Sequence, residues 1–251
     1  MDAVTALTYI VIFLFGITVG SFLNVCIYRI PKEESVVTVP SHCMSCGARL
    51  RWFELIPLFS YIFQRGRCRH CGAGISIQYP LIELANGLLW LLCLYRFSLS
   101  ADLILACLLS SALVTLSVID ARTREIPPGI NWFILILGGA RLLLHLSDWP
   151  LYLIGFFAVS VPLYLILIAT GGRGIGGGDI KLMAVCGLFL GWKLIIIAFF
   201  LGCLLGSVIH LSLMAAKRAG RALALGPYLS LGVFLSMLWG GALLDWYTGL
   251  F

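Results

Sequence analysis

The feature that most constrains this chain is a succession of apolar segments that leaves little room for a water-soluble fold. They run roughly over residues 4–28, 81–97, 101–119, 130–147, 151–170, 180–191, 194–215 and 223–247. A helix needs about 20 apolar residues to cross a bilayer, and only a helix or a closed barrel satisfies its own backbone there. The sixth segment is short and reads as a half-length helix or one that begins deeper than the rest. Hydrophobic residues make up 61% of the 251 positions and charged residues 11%, against about a quarter charged in ordinary domains. A soluble protein of this size cannot hide so much apolar surface. The expected fold is an all-α polytopic membrane protein of about eight transmembrane helices. The first segment begins at Asp2 rather than at a basic region and has no small-residue cleavage pattern before Arg29. It therefore reads as a membrane anchor, not a cleaved signal. No internal repeat and no low-complexity tract is apparent.

Charge sets the expected orientation. With the N-terminus outside, the inside loops collect Arg29, Lys32, Arg49, Arg51, Arg65, Arg67 and Arg69, then Arg122 and Arg124, Arg173 and Lys181, and Lys217, Arg218 and Arg221. That places 14 of the 17 basic residues on one face, with Arg96, Arg141 and Lys193 near the other. The positive-inside rule favours this arrangement. The formal charge of +6 is then a topology signal directed at anionic lipid, and no nucleic-acid partner is implied.

Residues 30–79 are the one substantial polar stretch, carrying Pro31, Pro40 and Pro57 and most of the charge. The chain divides into a first transmembrane helix (1–29), a cytoplasmic insert (30–79) and a transmembrane region (80–251). Of nine cysteines, Cys26, Cys93, Cys107, Cys186 and Cys203 lie in apolar segments, where they read as small packing residues. The other four form Cys43-x-x-Cys46 and Cys68-x-x-Cys71. Two such pairs suit one tetrahedral Zn²⁺ held by four thiolates, and an insert of this size has too little core to fold unaided. Disulfides or a redox dithiol are the alternatives, and a cytoplasmic location disfavours the first. His42 and His70 stand beside the ligands as neighbours.

Two carboxylates stand apart. Asp120 closes the third apolar segment, followed by Glu125-Ile126-Pro127, and Asp179 follows Gly174-Ile175-Gly176-Gly177-Gly178. Both fall at inside helix ends, where ionisable groups are costly and suggest function. Two close carboxylates share a proton, so one can take a proton from water while the other gives one to a carbonyl oxygen. Glycines beside Asp179 allow close backbone approach to an extended substrate and positive φ. The plainer account is that each aspartate is a helix-end charge balanced by Arg122, Arg124 or Lys181. Asp102, Asp148 and Asp245 read as solvated charges, Glu83 as a helix N-terminal carboxylate that alternatively supports the site, and Glu33, Glu34 and Glu54 as surface charges or contacts for a basic peptide.

The chain resembles the type IV prepilin peptidases. The likeness covers nearly its whole length: Gly20-Ser21-Phe22-Leu23-Asn24-Val25, Tyr28-Arg29-Ile30-Pro31, the paired cysteine loop, Ile56-Pro57 with Ser60-Tyr61, and Arg65-Gly66-Arg67-Cys68. It continues through Ile75-Ser76, Tyr79-Pro80-Leu81-Ile82-Glu83, Asp120 with Ile126-Pro127, and Gly176-Gly177-Gly178-Asp179-Ile180-Lys181-Leu182. The resemblance implies an aspartic endopeptidase of the bacterial inner membrane, facing the cytoplasm, that removes the basic leader of type IV prepilins or pseudopilins. Asp120 and Asp179 are then the catalytic pair, with Gly176, Gly177, Gly178 and Lys181 as substrate-positioning residues. Members with the cysteine loop commonly also methylate the new N-terminus from S-adenosylmethionine, an activity that rests here on resemblance alone. Pro128 departs from the family, where Asp or Asn is frequent, and Gly226-Pro227-Tyr228 fits its late Gly-Pro element without an assigned role. The competing readings are an ion-coupled transporter using the aspartates as a proton relay, and a non-enzymatic scaffold built on the cysteine loop.

Overall fold

The computed structural model describes residues 3–216 and 224–250. Among them there is no strand beyond two isolated bridges, and the helices are α1 (Ala3–Arg29), α2 (Phe59–Phe63), α3 (Gln78–Phe97), α4 (Ala101–Thr123), α5 (Pro128–Leu144), α6 (Trp149–Ala158), α7 (Ser160–Ala169), α8 (Gly177–Leu190), α9 (Trp192–Ala215) and α10 (Gly226–Thr248). Each expected apolar segment is largely helical over its described residues. Six stretches are long and apolar enough to cross a membrane: Ala3–Lys32, Gln78–Phe97, Ala101–Thr123, Leu146–Ala169, Trp192–Ala215 and Gly226–Thr248. This is a multi-pass membrane protein. Helix α5 has 17 residues and α8 only 14, so both fall short of that length. Lys217, Arg218 and Arg221, counted above among the inside charges, lie outside the described residues. The chain forms two compact units, Met1–Leu103 and Ile104–Phe251.

In the first unit α1 packs on α3. Lipid offers no hydrophobic force between helices, so close contact relies on small residues and interhelical hydrogen bonds. A Cβ on Gly16 would stand 2.8 Å from Gly87 Cα, and one on Gly20 would stand 2.7 Å from Glu83 Cα. The fully buried Asn86 donates to Gly16 O at 2.8 Å, and Asn24 donates to Tyr79 O at 3.1 Å. Such bonds contribute about 0.6 kcal/mol each on average. Where α1 ends, the buried Arg29 guanidinium donates to the carbonyls of Ser35, Val39 and Pro40. A residue counted from sequence only as positive charge therefore also anchors the loop that leaves the membrane.

In the second unit α8 is enclosed by α5, α6, α7 and α9, and Leu182 through Leu190 are all buried. A helix that is apolar on every side belongs in an interior. The expected segment 151–170 is broken at Val159 into α6 and α7. Pro162 explains the break, because it has no N–H for the carbonyl of Ala158 and its ring crowds that carbonyl. Helix α4 buries Ser110, Ser111 and Thr115; Ser110 and Ser111 donate back to Cys107 O, and Thr115 donates to Ser111 O. Their polar groups are thus satisfied within the helix.

Candidate active site and metal centre

Asp120 sits one turn before the end of α4. The helix stops because Arg124 enters the left-handed region at φ 58, its N–H closing on Asp120 O at 2.8 Å. The Asp120 side chain turns inward and is 5% exposed. Its Oδ2 accepts the N–H of Gly226 at 2.9 Å. Gly226 is the first residue of α10, followed by Pro227, and Pro is well suited to a first helical turn. The N–H groups of a helix start are unpaired by the helix itself and favour a negative charge. A Cβ at position 226 would lie 2.6 Å from Asp120 Oδ2 and 3.0 Å from its Cγ. Only glycine leaves the carboxylate its place.

Asp179 occupies the first turn of α8, outside the six long spans. Burial first, and then the negative charge of Asp120, push its carboxyl from the ordinary 3.8 up to about 6, against the backbone hydrogen bond from Gly176, which favours the charged form. The two carboxylates are thus brought within electrostatic reach of each other although 59 positions separate them in sequence. Gly176 precedes the helix in an extended conformation, φ −75 and ψ 140. Positive φ, expected at the glycines beside Asp179, occurs earlier, at Gly171 and Gly172. Gly178 instead permits close packing, since a Cβ there would stand 3.1 Å from Ile126 Cβ, while Gly177 faces open space. Lys181 is exposed on the next turn.

The four-cysteine cluster is built in the insert of the first unit. All four Sγ atoms lie within 4.8 Å of one another, and Cys43 Sγ and Cys71 Sγ are 3.9 Å apart. Tetrahedral zinc–thiolate bonds of about 2.3 Å require sulfurs about 3.8 Å apart, so the set fits one ion. The two halves are built alike. Cys43 N–H donates to Ala48 O and Gly47 N–H to Cys43 O; Cys68 N–H donates to Ala73 O and Gly72 N–H to Cys68 O. Gly47 and Gly72 both have φ 71. These turns repeat Cys-x-x-Cys-Gly-Ala, at 43–48 and again at 68–73, a short internal repeat that the reading of the sequence overlooked. Backbone N–H groups, first that of Cys46 and then that of Ser45, hold the Cys43 thiol down at about 6 from the ordinary 9.0. Cys71, despite the lowering backbone bond of Ala73, is pushed up to about 11 by desolvation and the neighbouring thiols. Without an ion the thiolate is therefore favoured at Cys43 and not at Cys71. His42 is exposed, with Nδ1 against Pro40 O, and His70 is exposed as well.

Two carboxylates read as solvated or helix-terminal charges are neither. Glu83 is in the second turn of α3 and 5% exposed; its Oε2 accepts Leu58 N–H at 2.7 Å, and the Ser21 hydroxyl also bonds to it. Leu58 itself is held at φ 61 and ψ −52, a conformation that costs a bulky residue energy and needs surrounding contacts to persist. Glu54 is 7% exposed and accepts Arg51 N–H at 2.8 Å, closing the turn Trp52–Leu55. Nothing local in the sequence reveals either burial. Gly226 was visible only within a Gly-Pro element without an assigned role, and its contact with Asp120 spans 106 positions.

Comparison with known proteins places these features in matched segments. The model of the bacterial peptidase A24 N-terminal domain matches residues 14–97, which hold the cysteine cluster. The model of the type IV leader peptidase family matches residues 107–211, which hold Asp120 and Asp179. A prepilin leader peptidase/N-methyltransferase of Bacillus subtilis (strain 168) is 36% identical, covering 94% of this chain and 96% of the relative. Proteins of the same name from Pseudomonas putida and Xanthomonas campestris pv. campestris are 31% and 33% identical, covering 90% and 92% of this chain and 88% and 91% of theirs. No solved structure matches the chain.

Proposed function

The chain belongs to the type IV leader peptidase family, and from that premise we propose that it cleaves the leader of type IV prepilins or pseudopilins at the cytoplasmic face of the bacterial inner membrane, with Asp120 and Asp179 as its catalytic pair. The observation that carries the assignment is the buried Asp120 carboxylate, fixed by Gly226 and acting electrostatically on Asp179. Two carboxylates so coupled hold one proton between them. The ionised member takes a proton from a water, whose oxygen attacks the scissile carbonyl carbon, while the other member protonates the carbonyl oxygen. The tetrahedral adduct then collapses: one of its hydroxyls returns a proton to the carboxylate that had protonated the carbonyl oxygen, the C–N bond breaks, and the leaving amine takes up the proton received from water. Both residues lie in the end turns of their helices, the depth at which a membrane-anchored prepilin presents the bond before its apolar helix. A proton-relay transporter keeps its site near the bilayer midplane, which these positions do not support. Gly176, Gly177, Gly178 and the exposed Lys181 border Asp179 and are assigned to positioning the substrate.

Cys43, Cys46, Cys68 and Cys71 would hold a structural Zn²⁺ that closes the insert and supplies no chemistry to cleavage. Cys43→Ser and Cys68→Ser are each expected to reduce bound zinc from stoichiometric to residual, read by elemental mass spectrometry. Amide exchange over residues 42–74 rises in parallel, because the metal supplies the folding energy of so small a unit. Zinc retained in full by both variants rejects the four-thiolate site.

The relatives' name also carries an N-methyltransferase activity, and we assign methylation of the new N-terminus from S-adenosylmethionine to this chain on that basis. Two described hollows do not fit the methyl donor. One of about 470 Å³ is walled mostly by apolar side chains such as Trp192, Ile196, Ile197, Leu243 and Leu244, with Lys193 and Thr248 as its polar members and no carboxylate to pair with the donor's ammonium and sulfonium charges. The other, about 210 Å³, is below the roughly 300–1,000 Å³ of ordinary ligand sites. Purified protein in detergent is expected to shorten a prepilin by its leader, and with S-adenosylmethionine to add one methyl group to the mature product, both read by mass spectrometry. An uncut prepilin overturns the peptidase reading, and a cut but unmethylated product overturns the second activity alone.

A further inference from the structure

We propose that residues 52–63 of the insert form a membrane-binding surface that docks on the anionic head groups of the bilayer crossed by α1 and α3. Trp52 and Phe63 are each 78% exposed, and Leu55, Ile56, Phe59 and Ile62 are also exposed. A run of large apolar side chains bare to solvent marks an interaction surface rather than ordinary surface chemistry. Its depth is set by the Glu83–Leu58 bond. Glu83 lies five residues beyond Gln78, the first residue of a membrane-spanning stretch, which is about 7 Å along the helix axis. Its side chain leans back toward the helix start, as helical side chains do. Leu58, bonded to it at 2.7 Å, is therefore held within the first turns of α3, at the boundary between head groups and acyl chains. Helix α2 begins at the very next residue.

Charge identifies the lipid. Arg51, Arg65, Arg67 and Arg69 flank the apolar run and are exposed, and Arg69 lies over the Phe53 ring at 5.2 Å. Phe59, Phe63 and Arg69 share the walls of the hollow of about 210 Å³, an apolar recess with a guanidinium at its edge. Aromatic and aliphatic side chains at the acyl boundary with arginines at the head groups is how interfacial segments bind, and each basic residue adds attraction to anionic lipid. Exposed Leu and Phe at this depth face lipid rather than water, which removes the penalty their exposure otherwise carries.

The full chain in nanodiscs provides the test, with Phe63→p-benzoylphenylalanine and, separately, Val37→p-benzoylphenylalanine as an equally exposed control at 84%. After irradiation, mass spectrometry is expected to find phosphatidylglycerol joined at position 63 and none above background at position 37. Replacing phosphatidylglycerol by a zwitterionic lipid is expected to reduce the adduct at 63, and Ile62→Glu in the same chain to abolish it. Adducts at 63 only with peptides from residues 104–251, or with nothing, overturn the proposal. An equal yield in zwitterionic nanodiscs overturns the choice of anionic lipid.

Discussion

Asp120→Asn and Asp179→Asn are each expected to lower the rate of leader removal by about a thousandfold or more, the scale of a lost proton-transfer group. Asparagine keeps the size and planar shape of the side chain, and the amide oxygen at position 120 can still accept the Gly226 N–H. The helix ends therefore persist, and the loss falls on chemistry rather than folding. Thermal unfolding and zinc content measured on the same preparations separate the two. The double variant is expected to be little slower than either single one, because the carboxylates act as a unit and such effects are far from additive. A single variant that cuts at the wild-type rate removes that residue from the mechanism.

Gly226→Ala is the more discriminating change, because it alters no ionisable group. The added methyl carbon would stand 2.6 Å from Asp120 Oδ2, well inside van der Waals contact, so the carboxylate must move by about an ångström. A displacement of that size costs on the order of a hundredfold in rate. The loss is expected in kcat, with KM nearly unchanged, since substrate contacts elsewhere are untouched. Gly241→Ala, on the same helix with nothing within 4 Å of the added carbon, is the matched control and is expected to cut at the wild-type rate. If both variants behave alike, Gly226 has no special relation to Asp120.

Much of this architecture is legible without coordinates. Apolar segments translate directly into helices, because lipid leaves the backbone no other solution. The thiolate set is legible too, since its members are paired at short range and their spacing matches the coordination of one ion. What escaped the reading is of another kind. The interruption at Val159 depends on Pro162, a residue easily absorbed into an apolar run. Glu54 reads as a surface charge and Glu83 as a helix N-terminal carboxylate, whereas both are buried, with backbone N–H bonds from Arg51 and Leu58 satisfying them. The insert reads as a cytoplasmic segment from its charge, and its tie to α3 through the Leu58 N–H bond to Glu83 has no signal in the local sequence.

Composition and segment length by themselves determined a helical, multi-pass membrane protein, because each follows from the local demand that backbone and side chains match their solvent. Local sequence also singled out Asp179 behind its glycines, and resemblance raised Asp120 to its partner. Only the tertiary structure decided the surroundings of the two carboxylates: α10 delivers Gly226 N–H to Asp120 across 106 positions, and burial, with the charge of Asp120 after it, raises the Asp179 carboxyl. A carboxylate's environment is a property of the groups brought around it, and folding brings them from helices that the sequence keeps far apart.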